Sequence, residues 1–107
     1  APAIFKKGNM FWMITSGCTG WIPNEARMFS ASSIWGPWEQ YPNPCRGQNS
    51  EKTFGGQSTF VLELPENRFI FMADVWKPKS LMYSGHIWLP IQFSEKGIPF
   101  IEWLDKW

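Results

Sequence analysis

The sequence predicts an all-β chain in which a four-stranded antiparallel meander comes twice, and three observations carry that prediction. Helical periodicity is hard to find in the 107 residues, while short runs rich in aromatic and β-branched residues recur between clusters of Gly, Pro, Asn and Ser. Aromatic residues make up 18% of the chain, including eight Trp, which suits a core held between stacked sheets. Displacing the chain on itself by 57 residues lays Ala1 on Ser58, the Gly8-Asn9 turn on Pro65-Glu66, and Trp12-Met13-Ile14 on Phe69-Ile70-Phe71.

The strands follow in order. Ala3 to Lys6 is the first, and a Lys7-Gly8-Asn9 turn leads into Met10 to Thr15, whose wholly apolar run calls for cover on both faces. A long loop, Gly17 to Asn24, precedes the third strand, Ala26 to Ala31. The Ser33-Ile34-Trp35-Gly36-Pro37-Trp38 corner turns the chain into a short fourth strand, Trp38 to Tyr41, which Pro42 and Pro44 stop. Cys45 to Thr53 is polar and reads as a connector. Ser58 to Leu64 and Arg68 to Ala73 form a hairpin through Pro65-Glu66-Asn67, and Asp74 to Ser84 is a second loop. His86 to Phe93 alternates Ile87, Leu89, Ile91 and Phe93 onto one face, and Glu95-Lys96-Gly97 turns it into Pro99 to Trp103.

A repeated four-stranded meander of this period is what β-propeller blades look like. Residues 1–53 form one blade with its connector and residues 54–107 a second. Two blades cannot close a ring, so the expected partners include further blades of a parent propeller, and the chain should carry two raw apolar faces through which it can dimerise or aggregate. Opening at Ala1 without Met fits an excised piece. A self-contained eight-stranded sandwich or barrel is the architectural alternative.

Composition narrows the function. Ten Lys and Arg against nine Asp and Glu leave a scattered net charge of +1, so no basic stripe awaits nucleic acid. No apolar run approaches the roughly 20 residues of a membrane helix, and no membrane partner is expected. Cys18 and Cys45 match no metal spacing and permit one bridge or none; two buried free thiols are expected. No metal site or cofactor is assigned.

Three stretches resemble glycoside hydrolase family 43, particularly its exo-β-1,3-galactanase branch: Thr15-Ser16-Gly17-Cys18-Thr19-Gly20-Trp21, Ser33-Ile34-Trp35-Gly36-Pro37-Trp38 and Thr53-Phe54-Gly55-Gly56-Gln57-Ser58-Thr59. Asp74-Val75-Trp76-Lys77-Pro78 and Trp88-Leu89-Pro90 add to it, so the match runs nearly the whole chain. The resemblance implies a five-bladed propeller whose active site lies on the central axis, lined by the innermost strand of each blade. It further implies an inverting reaction on a galactan-type polysaccharide, in which one carboxylic acid protonates the leaving oxygen while a second group activates water. The family's general-acid Glu opens an innermost strand as Glu-x-Pro; here Ala1-Pro2 begins the chain, so that Glu would be the residue just before Ala1. The piece alone is then expected to be inactive. The resemblance leaves room for calcium on the axis of the whole parent, and relatives' habits suggest an extracellular or periplasmic location.

Gln57 stands where the galactanase-like branch has Gln in place of a base. An amide is a poor base, so its expected role is to orient the attacking water, accepting a proton only as the imidic tautomer. Gly17 lets the loop after the second strand bend, Thr19 offers a hydroxyl, and Trp21 and Trp76 offer faces for a sugar ring. Asp74 opens the second loop, where the family pattern has Arg next and this chain has Val75, which removes a cation from the site. Glu25 and Glu39 read as solvated outer positions, and His86, the sole His, as structural on a third, outer strand. The rival from another class is a non-catalytic carbohydrate-binding module in which Trp12, Trp21 and Trp76 form one stacking platform.

Overall fold

A computed structural model describes all 107 residues, Ala1 to Trp107. Ten strands are present: β1 Ala3–Lys7, β2 Met10–Thr15, β3 Arg27–Ala31, β4 Glu39–Tyr41, β5 Cys45–Arg46, β6 Gln57–Leu64, β7 Arg68–Val75, β8 Gly85–Pro90, β9 Gln92–Phe93 and β10 Pro99–Glu102. Short 3-10 turns at Ser50–Gly55 and Leu81–Tyr83 are the only helical elements.

The first sheet is the expected antiparallel meander in the order β1-β2-β3-β4. The second begins the same way, β6-β7-β8, and the 57-residue offset carries the start of β3 to within one residue of the start of β8. Its expected third strand, His86 to Phe93, breaks after Pro90, which has no N–H for the ladder; the Ile91 amide then reaches back to the Phe69 carbonyl at 2.8 Å. Beyond the break β9 pairs antiparallel with β10.

One strand departs from the antiparallel expectation. Cys45 and Arg46, read as connector, pair in parallel with Ile101 and Glu102 and so join the outer edge of the second half. The Asn43 side chain starts this strand by accepting from the Cys45 amide at 2.9 Å and donating to the Ser50 carbonyl at 3.0 Å.

Of the three sheets, β1-β4 and β6-β8 face each other across one core, to which the third, β5-β10-β9, adds Cys45 and Ile101. Ala3, Phe5, Trp12, Ile14 and Met28 of the first meet Val61, Phe69, Phe71, Ala73, Ile87 and Leu89 of the second, with the Phe5 and Phe69 rings 5.0 Å apart. Lys7 reaches across the seam, its ammonium 3.7 Å from the centre of the Phe93 ring. The innermost strands β1 and β6 are neighbours, and the buried Ser58 hydroxyl donates to the Ala1 carbonyl at 2.7 Å.

The outward faces are apolar too. Cross-strand register lines Phe60, Met72 and Trp88 on one face of the second sheet beside Leu62 and Ile70, while Ile4, Met13 and Phe29 form a row on the first. Phe60 is 55% exposed and Trp88 52%. Met10 to Thr15 is therefore covered fully on one face only, Phe11 and Met13 staying half-buried on the other. Both thiols are free, but only Cys45 is buried; Cys18 lies exposed in the loop after β2, correcting the expectation of two buried thiols.

Candidate functional site

Gln57 opens β6 at the inner end of the second sheet, and an unusual turn delivers it there. Thr53, Phe54 and Gly55 are all left-handed, with φ of 50°, 57° and 87°. For a β-branched Thr that region crowds Cβ against the backbone, and such a residue costs about 1–3 kcal/mol. The surroundings hold it in place: Thr53 is buried, its hydroxyl donates to the Asn24 carbonyl at 2.7 Å, and its own carbonyl accepts from the Gly56 amide at 2.9 Å. At Gly56 a Cβ would sit 3.0 Å from Ile87 Cδ1 and 3.1 Å from Ala73 Cβ, so the turn passes this point only without a side chain.

Asn24 fastens the loop after β2 to this turn. Its Oδ1 accepts from the Gly17 amide at 2.8 Å, and its Nδ2 donates to the Gly17 carbonyl at 3.1 Å and to the Thr19 hydroxyl. The loop then places Ser16, Gly20 and Trp21 beside Gln57.

The Gln57 amide is oriented from both ends. Nε2 donates to Ser16 Oγ at 3.1 Å and, more weakly, to the Gly20 carbonyl at 3.5 Å, while Oε1 accepts from the Trp76 indole N–H at 3.2 Å. A primary amide has two donors and two lone pairs, so one Oε1 lone pair remains for a ligand. The Trp76 ring lies against Trp21, centroids 5.9 Å apart and planes 18° from parallel, and the space they roof is about 10 Å³, room for one water at most.

A polar row crosses three strands here. Gln57 is directly opposite Asp74, and Asp74 is directly opposite His86, which places all three on one face. His86 Nδ1 lies 3.0 Å from Asp74 Oδ1. Asp74 belongs to β7 rather than to the following loop, because the ladder runs on to Val75.

The structure thus brings Gln57, Trp21, Trp76 and Asp74 into one cleft. Gly17 and Thr19 do not line it; the Thr19 hydroxyl donates to the Ile22 carbonyl at 2.7 Å and serves the loop itself. Trp12 lies far from any platform, 5% exposed and edge-on to Tyr41 at 5.2 Å, which removes it from the three-Trp platform of the binding-module reading. Glu25 and Glu39 are exposed and outside the cleft. His86 is on the third strand as expected, yet reaches the site through Asp74, and Ser16 joins it as the acceptor for Gln57 Nε2. A Ser has little signal of its own; only the fold reveals that it meets Gln57. No group of three or more His, Cys, Asp or Glu is arranged to hold a metal ion.

No family model matches the chain, and neither does any curated protein. Solved structures do. A glycoside hydrolase family 43 β-1,3-galactosidase with galactodeoxynojirimycin is 63% identical over 100% of this chain and 31% of its own, with a TM-score of 0.98. A second family 43 β-1,3-galactosidase is 38% identical over 100% of this chain and 23% of its own, with a TM-score of 0.93. The exo-β-1,3-galactanase of Phanerochaete chrysosporium with β-1,3-galactotriose is 37% identical over 94% of this chain and 23% of its own, at a TM-score of 0.83. The chain therefore spans under a third of the length of these relatives.

Proposed function

This chain is part of a glycoside hydrolase family 43 domain, two blades of a propeller, and from that premise we propose that the whole protein hydrolyses β-1,3-linked galactan with inversion. The observation that carries the reading is the Gln57 amide, held by Ser16 and Trp76 with one lone pair open beside two indole rings.

Inverting hydrolysis needs an acid on one side of the glycosidic oxygen and a group that holds water on the other. The Ser58–Ala1 hydrogen bond aligns the inner ends of β1 and β6, which supports a general-acid position before Ala1 next to Gln57. A Glu there would protonate the leaving oxygen. Gln57 would then fix the attacking water through Oε1. Oε1 accepts the Trp76 indole N–H and Nε2 donates to Ser16, contacts that suit the ordinary amide, which is a poor base. Gln57 is therefore a water-positioning group in this reading, and removal of the water's proton falls to another side chain or to solvent.

The outward faces bearing Phe60 and Trp88, and Ile4 and Met13, are the surfaces for the neighbouring blades. These 107 residues alone would bind a galactan oligosaccharide feebly and cleave nothing. A polymeric substrate does not enter cells intact, which supports an extracellular or periplasmic site of action. The experiment compares galactose release from β-1,3-galactan by the whole natural protein and by these 107 residues, with the anomer of the first product read by NMR. An active whole protein releasing inverted product supports the reading; retention of configuration, or no action on galactan, overturns it.

A further inference from the structure

A second hollow of about 460 Å³ opens beside β5 and β10, within the roughly 300–1,000 Å³ usual for small-molecule sites. It shares no lining residue with the Gln57 cleft. Phe54 and Trp103 give it an aromatic wall, ring centroids 5.8 Å apart and tilted by 56°. The Trp103 indole N–H is already engaged by Asp105 Oδ1 at 2.8 Å, so the ring is fixed and what it offers is a half-exposed face.

Around that wall stand polar groups of both signs. Arg46 and Glu102 are register partners across β5 and β10, yet they form no ion pair, and the Arg46 guanidinium carbon sits over Phe100, 3.9 Å from the ring centre. Gln48 and Asn49 project from the adjoining turn, exposed. One positive and one negative charge cancel, so the hollow selects neither anions nor cations. A pre-set aromatic face rimmed by a carboxylate, a guanidinium and two amides matches the chemistry of a neutral sugar, whose ring carries C–H groups on its faces and hydroxyls around its edge.

The backbone here is also built rather than slack. Gly47, Asn49, Thr53, Phe54 and Gly55 all have positive φ, and the Asn49 carbonyl accepts from both the Lys52 and Phe54 amides, at 3.1 and 2.9 Å. That left-handed turn sends Phe54 toward Trp103 while its next residues line the Gln57 cleft.

We propose that this hollow is a second carbohydrate-binding site, for a neutral oligosaccharide, with Trp103 as the stacking face and Glu102 and Arg46 as the principal hydroxyl partners. The choice of galactan as its ligand rests on the reading of the Gln57 cleft.

The test titrates β-1,3-galactotriose into the 107-residue chain and follows the indole N–H signals by NMR, Trp103 reporting this hollow and Trp76 the cleft. A saturable shift of Trp103 at millimolar ligand is expected, kept in Gln57→Ala and weakened about tenfold in the exposed, fold-neutral variant Glu102→Gln. A Trp103 signal that stays still while Trp76 moves overturns the second site and leaves the cleft reading standing. Movement of Trp103 supports the second site whatever Trp76 does, because the cleft of an incomplete propeller holds sugar feebly; stillness of both overturns the second site and leaves the cleft to the whole-protein assay. Tighter binding of an oligogalacturonate than of the neutral sugar overturns the proposed ligand class.

Discussion

The Ser58 hydroxyl donates to the Ala1 carbonyl over 2.7 Å, joining the two residues that the 57-residue repeat makes equivalent. The repeat is thus seen in space as a seam between the innermost strands. Ser58 is buried, so Ser58→Ala leaves that carbonyl short of a partner, and stability should fall by about 1–2 kcal/mol, read as a lower urea midpoint.

Trp76→Phe keeps a ring against Trp21 and deletes the N–H that holds Gln57 Oε1. In the whole natural protein kcat on galactan should drop about tenfold with KM little changed, because the amide loses its fixed orientation rather than the sugar its ring. Gln57→Ala should cost about 10²–10⁴-fold in kcat. A KM effect alone in either variant would move Gln57 from catalysis to simple binding.

Gly56→Ala puts a methyl group 3.1 Å from Ala73 Cβ and 3.0 Å from Ile87 Cδ1. The Ile87 tip can turn away, but Ala73 is fixed to its strand, so a loss of about 1–3 kcal/mol in denaturant unfolding is expected.

The two thiols should behave oppositely. Burial, with the negative charge of Glu25 adding to it, pushes the Cys45 thiol up from 9.0 to about 12, whereas Cys18 is exposed. A water-soluble thiol reagent at pH 8 should modify one Cys per native chain and two per unfolded chain. The unfolded chain loses this proton near pH 9 and the native chain only near 12. Stability from this source is therefore constant below pH 9 and falls between 9 and 12, and Cys45→Ala should lose that part of the slope in urea titrations.

Phe60 and Trp88 stand side by side through Met72 on an outward face. The isolated chain should self-associate with rising concentration in sedimentation velocity, and Phe60→Lys, which sets a charge in that row, should return it toward monomer.

Much of this architecture was legible because local pattern determines it. The hairpin at Ser58 to Leu64 and Arg68 to Ala73 announces itself through alternating apolar runs and the Pro65-Glu66-Asn67 turn, and in the structure it is longer by one residue at its start and two at its end. Cys45 and Arg46 gave no such signal: a two-residue strand has no period, and its partner lies at the far end of the chain. The cleft divides in the same manner. Gln57, Trp21 and Trp76 were marked by motif, but Ser16 and His86 enter through a loop closure and a strand register, and neither leaves a trace in neighbouring residues. Trp12 shows the limit of composition, since an indole in the core and one at a cleft are the same letter.

The parallel pairing of Cys45–Arg46 with Ile101–Glu102 sets an order of events on the ribosome. The first meander can close as it emerges, each strand meeting the one made just before it. The edge strand made next must wait, its amides in water, until almost the last residues of these 107 are synthesised. A nascent chain whose Pro99–Glu102 segment has not yet left the ribosome would thus hold a finished first sheet and an edge strand without its partner, the species a chaperone would need to guard.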